Sequence, residues 1–140
     1  MDAATRAGAA IATPDPALEA NKRTVLAFYQ AAINDKDFAA AARLIGTRYV
    51  QHNPRIADGI DGLRAFVDQI RETFPRLRAE NRRIFAEGDF VIAHTVGVRV
   101  PGQPGTAIVD IFRLEHGRIV EHWDVMQPIP EESANPNGMV

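Results

Sequence analysis

An imidazole and a carboxylate two residues apart on a strand can hand a proton to a bound molecule, and His122 and Asp124 have that spacing. They lie in Ile119-Val120-Glu121-His122-Trp123-Asp124-Val125, where β-branched and aromatic residues alternate with polar ones. A period of two places Val120, His122, Asp124 and Met126 on one face. An imidazole and a carboxylate among apolar neighbours are costly to bury without a partner or a use. Two more polar residues interrupt apolar strands with the same parity: His94 between Ile92 and Val96, and Asp110 between Ile108 and Phe112. These four form the candidate catalytic set. Asp124 is the base, His122 or His94 the proton partner, and Asp110 orients a histidine and fixes its tautomer. His52 and Asn53 are candidate donors to a substrate oxygen, with His52 at the mouth of the site. Tyr49 and Trp123 are candidate ligand contacts. The chemistry this set suits is proton abstraction beside a carbonyl: one carboxylate takes the proton, and a neutral donor steadies the developing enolate.

Each residue also has a plainer reading. A buried Asp–His pair can satisfy itself within a core, so Asp124 can be structural and Asp110 can simply pair with His94 or His122. His94 is as much a core histidine as a pocket residue. His52 beside Asn53-Pro54 can be turn chemistry, and Tyr49 and Trp123 can be core or interface. Histidine and aspartate are also metal ligands, but there is no HxH or HExxH spacing, and no metal is expected. A Gly-rich phosphate loop, a nucleophile elbow and a cysteine nucleophile are all lacking.

The elements that must position these residues are legible along the chain. Asp15-Pro16 is a helix start, and Leu18, Val25, Phe28, Tyr29, Ala32 and Ile33 fit one helical face to about Asn34. Asp37 caps a shorter helix, Phe38 to Ile45, which Gly46 ends. Tyr49 to His52 reads as a short strand, followed by a loop at Asn53-Pro54 and Asp58-Gly59. Leu63, Phe66, Val67, Ile70 and Phe74 mark a third helix, stopped by Pro75. Four strands follow, at 77–87, 90–100, 106–115 and 118–126, with hairpin signals at Gly88-Asp89 and His116-Gly117. Helices first and an antiparallel meander after make an α+β domain with a curved sheet cupping a helix.

The face opposite the candidate set collects Val91, Ala93, Thr95, Val109, Ile111, Ile119, Trp123 and Val125. Both sheet faces are then apolar, and three helices cover only one. A homodimer through Val109, Ile111, Trp123 and Val125 is expected. The 140 residues suit one domain, 15–127, between a flexible tail at 1–14 and an extended one at 128–140. Net charge is −2 and no basic block is interleaved with aromatics, so nucleic acid is not an expected partner. No apolar run is long enough to span a bilayer, and Met1 to Thr13 lacks a secretory h-region. No membrane partner and a cytoplasmic location are expected.

Ile111-Phe112-Arg113-Leu114, followed by Gly117-Arg118-Ile119-Val120-Glu121-His122-Trp123-Asp124, resembles the C-terminal signature of the SnoaL-like polyketide cyclases. Tyr49-Val50-Gln51-His52-Asn53-Pro54, with Gly59 and Gly62, is similar to that family's middle segment. The resemblance covers about residues 20 to 127. It implies the nuclear transport factor 2-like fold, a cone of curved sheet and helices that is commonly dimeric. It also implies a metal-free, cofactor-independent aldol ring closure with Asp124 as the acid/base residue. The family's pocket histidine before the Ile-Phe-Arg run falls at Asp110, a departure from the pattern, and His94 and His52 are candidates to supply that imidazole. The expected function is therefore general acid/base catalysis on a small, mostly apolar carbonyl compound. Isomerase, dehydratase or epoxide hydrolase chemistry in the same cavity is the alternative, as are a non-catalytic small-ligand binder and an interaction module.

Overall fold

The computed structural model describes residues 13–140; most of the expected N-terminal tail lies outside them. Helix α1, Pro16–Tyr29, begins where Asp15 accepts a hydrogen bond from the Ala17 amide at 2.8 Å, with Pro16 in the first turn. It runs directly into a π-helical turn, Gln30–Asn34, closed by the Asp35 amide on the Gln30 carbonyl at 2.8 Å. Helix α2, Phe38–Ala42, is capped by Asp37, which accepts from the Ala40 amide at 2.9 Å. Helix α3 is Gly59–Thr73 and buries Leu63, Val67 and Ile70.

Among the described residues five strands form one sheet: β1 Ile45–Gln51, β2 Arg78–Glu87, β3 Phe90–Val98, β4 Thr106–Glu115 and β5 Arg118–Pro128. Their order is β1-β5-β4-β3-β2. The last four make the antiparallel meander, and β1 joins β5 in parallel. The α+β architecture, with helices on a curved sheet, is as the resemblance implied.

Two local readings change. The second helix does not reach Ile45. The Ile119 amide bonds to the Leu44 carbonyl at 2.9 Å and Ile45 pairs with Ile119, so β5 captures the backbone there. Gly46 is then a point of close approach rather than a helix stop. A Cβ on it would sit 2.8 Å from Val120 Cγ1.

The second change concerns the faces of the sheet. Ala93 opposes Asp110 and His94 opposes Val109, so odd positions of β3 share a face with even positions of β4. Val91, Ala93 and Thr95 therefore lie under the helices and are fully buried. Phe90, Ile92 and His94 turn outward with Val109, Ile111, Trp123 and Val125. Even parity does hold between β4 and β5 as far as Arg113, beyond which a bulge lets both Ile119 and Val120 be buried. Between helices and sheet the core centres on Phe112, whose ring meets those of Phe28 and Tyr29 edge-on at 5.8 and 6.0 Å.

Candidate active site

The antiparallel register of β4 and β5 sets Asp110 directly opposite Asp124, and Phe112 opposite His122. Strand β1 adds a third row beside them, since Gln51 pairs with His122 in parallel. Tyr49 and Gln51 point inward from β1, and Asn53 continues their side. These residues line a cavity of about 270 Å3 between the sheet and helices α1 and α3, otherwise walled by apolar side chains such as Phe28, Leu63, Phe66, Ile70 and Phe112.

The polar floor is a continuous hydrogen-bond network. His122 Nε2 lies 2.7 Å from Asp110 Oδ1, and its Nδ1 lies 2.8 Å from Gln51 Oε1. The Tyr29 hydroxyl donates to Asp110 Oδ2 and accepts from Thr95 Oγ1 at 3.3 Å. Thr95 in turn accepts from Asn81 Nδ2 at 2.7 Å.

Proton positions on His122 follow from this network. The Asn53 backbone amide donates to Gln51 Oε1 at 2.9 Å, which fixes that atom as the amide oxygen. His122 Nδ1 must then be a donor. Its Nε2 faces a carboxylate, so one proton is held between Asp110 and His122.

Asp124 sits beside this pair and joins its network through Asn53, whose backbone amide bonds Gln51. Asn53 Nδ2 donates to both of its oxygens, at 2.9 and 2.7 Å. Asn53 Oδ1 accepts from the Arg55 amide at 2.8 Å, which sets the orientation of the Asn53 side chain. Among the described residues no other side chain donates to Asp124, so its remaining lone pairs face the cavity.

Both tyrosines of the chain are here, and both phenols are held neutral. Burial, reinforced by the negative Asp110, pushes Tyr29 and Tyr49 above the usual phenol range. Tyr49 accepts from Gln51 Nε2 at 3.2 Å and donates to no acceptor among the described residues. Its O–H is free for a ligand oxygen.

Asp110, His122, Asp124, Tyr49 and Asn53 thus come together, whereas three other candidates do not. His94 is on the outer face, with Nδ1 2.8 Å from Arg83 Nη1, because of the β3 register. His52 also points outward, since the strand period that turns Gln51 and Asn53 in turns it out. It stacks on Trp123 with ring centroids 4.6 Å apart and bonds Glu121 at 2.9 Å. Trp123 is therefore an outer-face residue as well.

Sequence reasoning missed Tyr29 and Gln51. The period of two from Tyr49 through Gln51 to Asn53 could have found Gln51 and excluded His52. Tyr29 reads as one more apolar position of α1, and only its hydroxyl marks it.

Asp110, His122 and Asp124 also offer ligand atoms within 4.8 Å of one another. In this arrangement both His122 nitrogens carry or share protons. A cation would have to break the Asp110–His122 bond to use them, so the geometry suits proton handling better.

No curated protein matches the sequence at a significant level. Solved structures do. TsrD from Streptomyces laurentii is similar at 23% identity with a TM-score of 0.66, covering 81% of this chain and 91% of that one. A candidate SnoaL-like polyketide cyclase from Jannaschia sp. CCS1 is similar at 21% identity and a TM-score of 0.68, covering 82% and 90%. An uncharacterized cystatin-fold protein from Novosphingobium aromaticivorans is similar at 18% identity and a TM-score of 0.66, covering 75% and 97%. At these identities the likeness speaks to the fold. The SnoaL-like domain model matches residues 25–122, the span that supplies Tyr29, Tyr49, Gln51, Asn53, Asp110 and His122, and the chain belongs to that family.

Proposed function

We propose that the cavity performs general acid/base catalysis on a small, mostly apolar carbonyl compound, with Asp124 as the base. One observation carries this reading: a carboxylate with a single side-chain donor faces an apolar cavity beside a separate pair that already holds a proton. Asp124 would take a proton from the carbon next to the carbonyl, and the C–H electrons would pass into an enolate. The neutral Tyr49 hydroxyl is the donor for the enolate oxygen, and its raised pKa keeps it protonated throughout. In an aldol-type ring closure the enolate carbon attacks a second carbonyl, one C–C bond forms, and the proton returns to the new alkoxide. Nothing is gained or lost overall, and the reaction needs no co-reactant.

Exchange of the α-protons of 2-tetralone in D2O, followed by NMR, tests this step without knowledge of the natural substrate. Asp124→Asn keeps the shape and removes the proton acceptor. The protein-catalysed exchange is expected to fall by about 100-fold or more, with the melting temperature little changed. Undiminished exchange in that variant removes Asp124 from the mechanism.

A second reading is favoured by the completeness of the floor network, in which Asp110 and His122 are satisfied without any ligand. On that reading the cavity binds a small molecule and does not turn it over. A compound retained through purification and recovered unchanged after incubation, with no exchange above background in the parent protein, would support it.

A further inference from the structure

The cavity separates its charges. Among the described residues its two carboxylates, Asp110 and Asp124, stand on the sheet floor, while its two arginines, Arg55 and Arg99, are among the solvent-exposed members of its lining. Those exposed members, which also include Gln69 and Met126, define the rim. Neither arginine forms an ion pair among the described residues, in contrast to Arg48, Arg71, Arg82 and Arg113.

Both are nonetheless placed. The Arg99 guanidinium lies over the Phe74 ring, 4.9 Å from its centroid, and Phe74 is itself part of the cavity wall. The Arg55 backbone is tied to Asn53 Oδ1 at 2.8 Å, and the same Asn53 holds Asp124 through its Nδ2. One side chain thus sets both the base on the floor and the start of the cationic rim.

We propose that this rim is an anion subsite: Arg55 and Arg99 bind the carboxylate of a ring-sized apolar acid whose other end reaches Asp124. The inference rests on the reading of this cavity as the ligand site, and it names the substrate class. A guanidinium recognises a carboxylate by two parallel charge-assisted hydrogen bonds. The acidic floor repels the same group. The two effects act together to orient a ligand with its anionic end outward and its neutral carbonyl end at the base. A ligand of uniform polarity could enter either way round, and half of its encounters would be unproductive.

The probes are 2-naphthoate and 2-naphthamide, which share a shape and differ in charge, titrated calorimetrically at neutral pH. The parent protein is expected to bind the carboxylate about tenfold more tightly than the amide. The double variant Arg55→Gln, Arg99→Gln is expected to lose that preference and keep its affinity for the amide. Each single variant should lose part of it. Both side chains are exposed, so the melting temperature should hold. Added salt should weaken the carboxylate alone.

Equal affinity for the two probes, a preference that survives the double variant, or failure of both probes to bind overturns the subsite. The two proposals fail separately. Undiminished α-proton exchange in Asp124→Asn sinks the catalytic reading and leaves the charge preference standing. A preference retained without the arginines sinks the subsite and leaves the exchange result untouched.

Discussion

At the scale of single residues, the site is governed by which atoms are forced to donate. The Asn53 amide settles Gln51, Gln51 settles His122 Nδ1, and His122 is left sharing a proton with Asp110. Tyr29 closes the other oxygen of Asp110. This arrangement has an optical signature, because the chain has only two tyrosines and both are in the site. Each phenol is raised above its usual value of 10.0, by burial first and by Asp110 second. A raised acid holds its proton more tightly in the folded state. That stability is fully present below the unfolded value near 10.0 and is lost as pH rises toward the folded one. Ultraviolet titration should therefore show no tyrosinate until the protein unfolds at alkaline pH, and then both phenols together. Tyr29→Phe should make the alkaline loss of stability shallower. It should also cost about 1–3 kcal/mol near neutrality, since Asp110 and Thr95 each lose a partner. Gradual tyrosinate formation in the folded protein near the usual phenol pKa would contradict the buried network.

At the scale of elements, strand parity decided what could be read in advance. The hairpin signals at Gly88-Asp89 and His116-Gly117 located β2 to β5, and even parity between β4 and β5 correctly grouped Asp110 with His122 and Asp124. The same rule failed for His94, because the connection between β3 and β4 pairs residues whose numbers sum to an odd value, as Ala93 with Asp110. Loop length carries that offset, and no side-chain pattern reveals it when both faces are apolar. Likewise the π-helical turn after Tyr29 has no sequence mark.

Glycine positions show how tightly the elements are set. A Cβ at Gly46 meets Val120 Cγ1 at 2.8 Å, a stiff side chain that is itself buried. A Cβ at Gly62 meets the Ala57 carbonyl oxygen at 1.8 Å, which is backbone. Gly46→Ala is expected to cost about 1–3 kcal/mol as overpacking. Gly62→Ala should cost more, because the gain in helix propensity, about 1 kcal/mol, is smaller than the cost of moving the loop. Urea unfolding of the two variants checks the order. The Gly62 variant should also weaken ligand binding, since the displaced loop carries Asn53 and Arg55.

At the scale of the whole molecule, the helices cover one face of the sheet, and among the described residues the other face is open. Across that outer face Phe85, Ile92, Ile111 and Trp123 stand in register on four neighbouring strands. Val109 and Val125 form the adjoining pair, and Val125 is 75% and Phe85 58% exposed. A contiguous apolar row of this kind is uncommon on a monomer. It differs in membership from the face read off the sequence: Val91, Ala93, Thr95 and Ile119 belong to the core, and Phe85, Phe90 and Ile92 take their place outside. We propose that a second copy of the chain covers it. A two-fold arrangement would let the row meet its own counterpart and bury on the order of the 1,200–2,000 Å2 of a standard interface. The ion-paired cluster of Arg48, Arg113, Glu115, Glu121 and His52 would fall at its polar edge. Light scattering at micromolar concentration should then give the mass of two chains, and the melting temperature should rise with protein concentration. Val125→Asp with Ile92→Asp should yield a folded monomer, because both side chains are exposed within one chain and neither contributes to its core. A parent protein that scatters as a single chain would leave this apolar face without the partner proposed for it.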